Sequence, residues 1–495
     1  MTHAFQATCA ATGEFLPGEF AEATAAQIDF ACGRAAEAAV QIRELTPDQL
    51  GEFLSAVATE IRSRREEIVS RCELETGYLN ARVEGEFDRA MGQLDLFARL
   101  AVERPWDRVT SEAADPDRKP FPKPSMTRRF VPVGPVAVFG ACNFPLAISV
   151  IGNDFVAAVA TGNPVVVKSH PSHPGTCELL GNAVKEVVKR LKLPLGTFEL
   201  LHGRTPETSV RVISHPAIAA VGFTGSPQGG RALAKAILDR ENPIPIFAEL
   251  GSTNPVFITP DAMAVRAKAI AEGFAGSLRF GNGHMCTKPG VVVIQERDAD
   301  AFIAATRGIF AKQPNLPMLS GPVAEAFDRG IEQLRAAKEV DSLFVAEAIE
   351  TEGPWHRGAH WFGMNAETAI RERWLHSETF GPVSILVRCR GEAEMLRVAE
   401  GFHGSLTTTL HAETSENEFT QCWRRIAERF GGRIILNGWP TGMEIGSATQ
   451  HGGPFPASLD GRSTSVGHAS LERFVRPLCF QNWPEDVMLA KRSGP

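Results

Sequence analysis

Gly134-Pro135-Val136-Ala137-Val138-Phe139-Gly140-Ala141-Cys142-Asn143-Phe144-Pro145 carries a four-residue apolar run that starts after proline and stops at glycine. A run that short between turn-forming residues reads as a strand buried on both faces. The same unit recurs at 164–168, 197–201, 219–223 and 246–249, each time separated by a helical stretch. Strands joined through helical crossovers pair in parallel, so these segments predict a doubly wound sheet. A second series at 291–294, 383–387, 406–410 and 433–436 predicts another. The expected fold class is α/β with two doubly wound parallel-sheet domains. Their join falls near 249–255, where residues from both sides can face one cleft.

Outward from this centre, residues 19–103 show apolar residues at three- and four-residue spacing and read as a helical lead-in. Arg118-Lys119-Pro120-Phe121-Pro122-Lys123-Pro124 is too rich in proline for a helix or a central strand and reads as an extended excursion. Residues 314–376 lack a clear period, and their Gly-Pro pairs mark turns. The tail from Leu471 carries Phe474, Phe480 and Trp483 with few charges, a composition suited to completing a partner subunit.

A chain of 495 residues has room for two or three domains at roughly 150 residues each. Its net charge of −7 gives no footprint for nucleic acid or an anionic membrane. No apolar stretch approaches the ~20 residues of a membrane helix, and the start lacks the order of an export signal. A cytoplasmic setting is expected. The nine cysteines stand singly, which argues against a disulfide framework or a zinc cage. His170, His173, Cys177 and His202 have metal-ligand chemistry, but Pro171 and Pro174 make this stretch look like turns, and no metal is expected.

Three places carry chemistry. Gly281-Asn282-Gly283-His284-Met285-Cys286-Thr287-Lys288-Pro289-Gly290 sets Cys286 on a small-residue loop between a helical run and a Val-rich strand. A free cysteine is usually a small buried hydrophobe, but a thiol on such a loop is placed to act as a nucleophile. Glu249, at a strand end beside the domain join, is suited to activating water. Gly225-Ser226-Pro227-Gln228-Gly229 follows a strand and opens a helix, so its N–H groups and the helix dipole can hold a pyrophosphate. It is not the G-x-G-x-x-G fingerprint of ordinary dinucleotide folds.

In order along the chain, the Asn143 segment, Phe223-Thr224-Gly225-Ser226, Ala248-Glu249-Leu250-Gly251, the Cys286 loop and Glu378-Thr379-Phe380-Gly381-Pro382 resemble the motifs of the aldehyde dehydrogenases. The resemblance implies an NAD- or NADP-dependent oxidation of an aldehyde to an acid through a thiohemiacetal and a thioester on Cys286. It makes Asn143 an oxyanion donor together with the N–H of Cys286, and Glu249 the base that releases the acid. It puts Gly225 and Ser226 at the pyrophosphate, Glu378 at the nicotinamide ribose and Lys168 at the adenosine ribose. Relatives often carry a glutamate three residues after that lysine. Pro171 stands there instead, which removes repulsion against a 2′-phosphate, and Arg204 could pair with one. NADP or NAD is the expected cofactor.

The same resemblance divides the chain into a cofactor-binding domain (1–118 and 134–248), a catalytic domain (249–470) and segments 119–133 and 471–495 that form a bridging β-ribbon in a homodimer or homotetramer. More narrowly, Asn143-Phe144-Pro145-Leu146-Ala147, the stretch 167–176, 436–442 and His451-Gly452-Gly453-Pro454-Phe455-Pro456-Ala457-Ser458 look like the branch that holds the 2-oxoglutarate semialdehyde (2,5-dioxopentanoate) dehydrogenases and the NADP-dependent fatty aldehyde dehydrogenases. That branch usually has glutamine and phenylalanine where this chain has His284 and Met285. A carboxylate-bearing semialdehyde needs a cation in its pocket, and Arg279 and Arg462 are the candidates. An acyl transferase or esterase using the same thioester without redox chemistry is the alternative of another class, which the Glu378 and Gly225-Ser226 elements argue against.

Overall fold

The computed structural model describes residues 4–347, 349, 352–371 and 378–484. Four helices form the lead-in: Ala25–Ile42, Pro47–Arg62, Arg65–Thr76 and Asn80–Glu103. The first two begin with reciprocal capping boxes, Thr24 with Gln27 and Thr46 with Gln49, which satisfy N–H groups the first turn leaves unpaired. Residues 19–21 depart from the helical expectation. They end the strand Phe15–Ala21, which pairs antiparallel with Ala4–Thr8, and only its alternate residues Leu16 and Phe20 are buried.

The first sheet has five parallel strands in the spatial order Phe198–Leu201, Val165–Lys168, Val136–Phe139, Ala220–Thr224, Ile246–Glu249. Its order reverses on either side of Val136–Phe139, and ligands of open α/β sheets bind beyond strand C-termini at such a switch point. Asn143, Lys168, Gly225 and Glu249 all lie at or just past those ends.

The second sheet has seven strands: Asp341–Val345, His360–Asn365, Val383–Cys389, Val291–Gln295, Pro255–Ile258, Ser405–His411 and Gly431–Leu436. All neighbours are parallel except the edge strand Asp341–Val345. Three of these strands, Pro255–Ile258, Asp341–Val345 and His360–Asn365, add to the four expected. The segment 314–376, aperiodic in sequence, also holds the helix Gly321–Ala336; its positions 348, 350, 351 and 372–376 lie outside the described residues. The core here is aromatic, with Phe274 packed against Phe302, Phe310 and Trp361.

The ribbon is a three-stranded antiparallel sheet in which Met126–Pro132 lies between Val475–Gln481 and Thr110–Glu112. The proline-rich stretch is the approach to its middle strand, and Thr110–Glu112 forms one edge of the ribbon. The tail from 485 lies outside the described residues. Among the described residues, no helix is long and apolar enough to cross a membrane.

Candidate active site

The helix Pro260–Arg279 ends in three consecutive left-handed residues, Gly281, Asn282 and Gly283, with φ of 55°, 52° and 71°. Glycine meets that demand without strain. At Gly283 it is also a packing requirement, because a Cβ there would run into the Gly381-Pro382 backbone. The loop carrying Cys286 therefore lies directly on the Glu378–Pro382 motif. Asn254 fixes it from the other side, its Nδ2 donating to the carbonyls of Cys286 (2.7 Å) and Lys288 (3.0 Å) while its Oδ1 accepts from Thr407 and Ser252. Lys288 is buried and donates through Nζ to Thr379 O and Val383 O, both at 2.9 Å, which ties the nucleophile loop to the Glu378 segment.

Asn143 is buried after the strand Val136–Phe139 and donates from Nδ2 to His284 O at 2.7 Å, leaving its second amide hydrogen for another acceptor. Its own carbonyl accepts from Tyr78 OH and Arg82 Nη2. Glu86, on the same helix as Arg82, pairs with it at 2.8 Å and accepts the N–H groups of Leu146 and Ala147. The helix Asn80–Glu103 thus holds the oxyanion segment in place.

Glu249 ends its strand and is nearly sealed from solvent. Its Oε2 accepts from Ser465 Oγ, and its Oε1 lies 2.9 Å from His451 Nε2. The same Nε2 is 3.5 Å from Cys286 Sγ. Burial opposes charge on all three groups, yet the Glu249 carboxylate and the Cys286 sulfur hold the His451 imidazolium up to about 10. Burial also pushes Glu249 up, but His451 and the Ser465 hydroxyl outweigh it and keep the carboxyl below its ordinary range. Cys286 is raised by burial, with His451 pulling it back down. The arrangement is a thiol beside a buried imidazolium–carboxylate pair.

His451 escaped the sequence reading as a catalytic group. It lies 165 residues past Cys286 in a Gly-Pro-rich loop that was legible only as a branch signature. Its place depends on the loop docking against the first sheet, through a bridge between Glu249 and Ser458 and the bonds Leu250 N to Ala457 O and Leu459 N to Ala248 O. The His284 ring is buried between Tyr78 and Phe380, where burial takes it down to about 3 and leaves it neutral.

Beside the nucleophile loop is a cavity of about 580 Å³, walled by Tyr78, Phe144, Phe280, Met285, Arg89 and Arg279 among others. Arg279 is buried and donates to Asn282 Oδ1 and Pro314 O; burial lowers it to about 10. Arg89 donates to Met443 O at 2.9 Å; burial lowers it, and its charge is within electrostatic reach of Glu86, Cys286 and Glu444. Among the described residues neither has a carboxylate within ion-pair distance. Arg462 is corrected. Its side chain is 92% exposed, bonds Asp460 and does not line the cavity, because the Asp460–Arg462 turn points to solvent.

Of the residues expected at a dinucleotide, Glu378 lines the larger cleft, and Pro227, next to Ser226, lies on its wall. This cleft of about 870 Å³ is also bounded by Arg231, Gly251 and Phe455, within the volume range of cofactor sites. Glu378 Oε1 is buried there without a hydrogen-bond partner among the described residues, so it has an acceptor to offer. Ser226 caps the 12-residue helix Pro227–Leu238 and accepts from Gly229 N, with Gly225 one residue earlier, where a Cβ would press on Phe223. Lys168 ends its strand, and burial lowers it to about 8. Beside it Ser169 Oγ is 2.8 Å from His202 Nδ1. Arg204 is exposed and stands over the Phe5 ring at 5.7 Å.

A thiol, an amide donor and a carboxylate meet where the two parallel sheets join, a set suited to thiol chemistry on a carbonyl carbon. The comparisons agree. Residues 2–330 match the model of the aldehyde dehydrogenase family. Over 95% of its length and 89% of the relative's, the chain is 40% identical to alpha-ketoglutaric semialdehyde dehydrogenase 2 of Azospirillum brasilense. The fold superposes on a 1-pyrroline-5-carboxylate dehydrogenase from Thermus with bound NAD (TM-score 0.83, 20% identity, 97% of this chain and 90% of that one) and on the glyceraldehyde-3-phosphate dehydrogenase GapN of Methanocaldococcus jannaschii complexed with NADP (TM-score 0.81, 19% identity, 96% and 98%). The chain belongs to the aldehyde dehydrogenase family and is an NAD(P)-dependent oxidoreductase that takes an aldehyde to its acid.

Proposed function

We propose that the protein oxidises 2-oxoglutarate semialdehyde (2,5-dioxopentanoate) to 2-oxoglutarate, with Cys286, Glu249 and Asn143 as catalytic residues. The observation that carries the substrate is the cavity beside the Cys286 loop, with two arginines that have no carboxylate partner among the described residues. The 40% identical relative named for that semialdehyde supports the same reading. Arg89 is the carboxylate anchor, with Arg279 behind it. The aromatic lining favours longer uncharged aldehydes as the second reading.

Cys286 attacks the aldehyde carbon, and the resulting oxyanion is met by Asn143 Nδ2 and the Cys286 N–H. Bound NAD or NADP supplies the hydride acceptor, held by Glu378, Lys168 and the Gly225-Ser226 turn. Collapse of the tetrahedral adduct leaves a thioester on Cys286. Glu249 then removes a proton from water, the water attacks the thioester, and the acid leaves. His451 stabilises negative charge on the sulfur both as nucleophile and as leaving group. Because Pro171 stands where an acid would repel a 2′-phosphate, and Lys168 with Arg204 offers cations, the reading includes NADP alongside NAD. It also includes a cytoplasmic homo-oligomer joined through the ribbon, which light scattering tests directly.

Initial rates with 2,5-dioxopentanoate, succinate semialdehyde and a long-chain aldehyde, each with NAD and NADP, test the substrate. The keto acid should have the highest kcat/KM; turnover of the long-chain aldehyde alone would reject the assignment. Arg89→Met separates charge recognition from general damage. Loss of a charge-assisted bond of ~2 kcal/mol predicts about a 30-fold fall in kcat/KM for 2,5-dioxopentanoate. An uncharged aldehyde of similar length should keep its rate within about threefold, and equal losses for both would remove Arg89 from recognition.

A further inference from the structure

We propose that Glu249, Cys286 and His451 also form a chelating site for a zinc-type divalent cation, which shuts the enzyme off by coordinating its nucleophile. Among the described residues, this is the one group of three such side chains whose ligand atoms all lie within 4.8 Å of one another. The His173–Cys177 pair, at 3.2 Å, gathers no third donor.

Two of the three spacings are close to those of a tetrahedral ion, and the third, from Cys286 Sγ to the Glu249 carboxylate, lies within 4.8 Å and closes as the side chains turn inward. With zinc–sulfur, –nitrogen and –oxygen bonds of ordinary length, the ligand atoms around one ion stand about 3.4–3.6 Å apart. Cys286 Sγ and His451 Nε2 are already 3.5 Å apart. His451 Nε2 and Glu249 Oε1, at 2.9 Å, have to separate by roughly half an ångström. A side-chain rotation supplies that, and Ser465 Oγ continues to hold Oε2 so that Oε1 faces the ion. Three protein ligands leave a fourth position for water, the pattern of an open rather than a structural zinc site.

The chemistry selects the ion and limits its hold. A thiolate and an imidazole favour zinc over magnesium or calcium, which prefer oxygen. Coordination displaces the thiol proton and the proton on His451 Nε2, and the thiolate and carboxylate then balance the two positive charges. His451 Nδ1 is buried without a partner among the described residues. Metal-bound histidines normally donate that second N–H to an acceptor, which fixes the ring and strengthens the bond. Its absence fits reversible inhibition rather than a resident metal. Zinc draws charge from the sulfur and occupies the space beside it through which the aldehyde carbon must approach, so the ion and the aldehyde compete.

The test is zinc binding to the metal-free protein, read by competition with a chromophoric zinc chelator in millimolar magnesium. One site per chain is expected. Cys286→Ser and His451→Gln should each weaken it more than 100-fold, and Glu249→Gln about tenfold. In the wild type, zinc should slow iodoacetamide labelling of Cys286, followed by peptide mass, in proportion to occupancy. Wild-type affinity in Cys286→Ser, or saturation that leaves Cys286 labelling unchanged, overturns the proposal. Should a variant fail to fold, the labelling experiment on the wild type decides alone. None of these readouts requires the semialdehyde, so they stand apart from the substrate assignment.

Discussion

In the Glu249→Gln enzyme, mixing with aldehyde and cofactor should release about one reduced cofactor per active site and then nearly stop. The first half of the reaction needs the sulfur, the oxyanion donors and the bound nicotinamide. Only the second half needs a base to deprotonate water. Loss of a positioned general base typically costs 10²–10⁴ in rate, so steady turnover should fall by about that factor while the burst keeps its amplitude. The burst should also be slower than in the wild type, because the carboxylate is the main group that holds His451 protonated against its burial. Glutamine removes that support, burial then favours neutral imidazole, and the sulfur loses its counter-charge. Cys286→Ala should show neither burst nor turnover. Stopped-flow absorbance of the reduced nicotinamide separates the cases. Full steady turnover in Glu249→Gln would take the residue out of the base role.

How much of this was open to the sequence depends on the distance over which each feature is encoded. The five strands of the first sheet are short, mostly apolar runs with glycine or proline close by, so run length and punctuation located them to within a residue or so. Cys286 on its small-residue loop and Glu249 at a strand end read as reactive positions from local sequence, whereas Asn143 and Glu378 stood out through the resemblance of their motifs to the aldehyde dehydrogenases. The strand His360–Asn365 was not legible, since its histidine, tryptophan and glycine break the valine pattern and its burial comes from neighbours on both sides. Arg89 reads locally as one more charge on an amphipathic helix. It faces a cavity only because the second domain's Phe280 and Met285 close over it. Arg462 failed for the converse reason: nearness in sequence to a functional loop says nothing about which way a turn points.

His451 is the residue whose loss tests the electrostatics of the site most directly. With glutamine there, the nearest cation leaves Cys286 and Glu249 together, while the burial that raises both remains. Each unit by which the thiol rises cuts its thiolate fraction tenfold at any pH below its midpoint. Alkylation by iodoacetamide without cofactor should therefore be at least about tenfold slower at pH 8, with its rise shifted to higher pH. In the wild type the imidazolium persists until the pH passes about 10, so its support of the sulfur is constant across the neutral range. Glu249 should respond in the same variant. Its carboxyl is held low by His451, and without that charge its protonation moves up towards neutrality. The acid limb of the kcat profile should then move to higher pH, since the base is lost as pH falls through its new midpoint. A structural role for His451 would lower activity evenly at every pH and leave the alkylation rate of a folded variant where it was. A shift in both profiles, in the same direction and from one substitution, requires the imidazolium to act on sulfur and carboxylate at once.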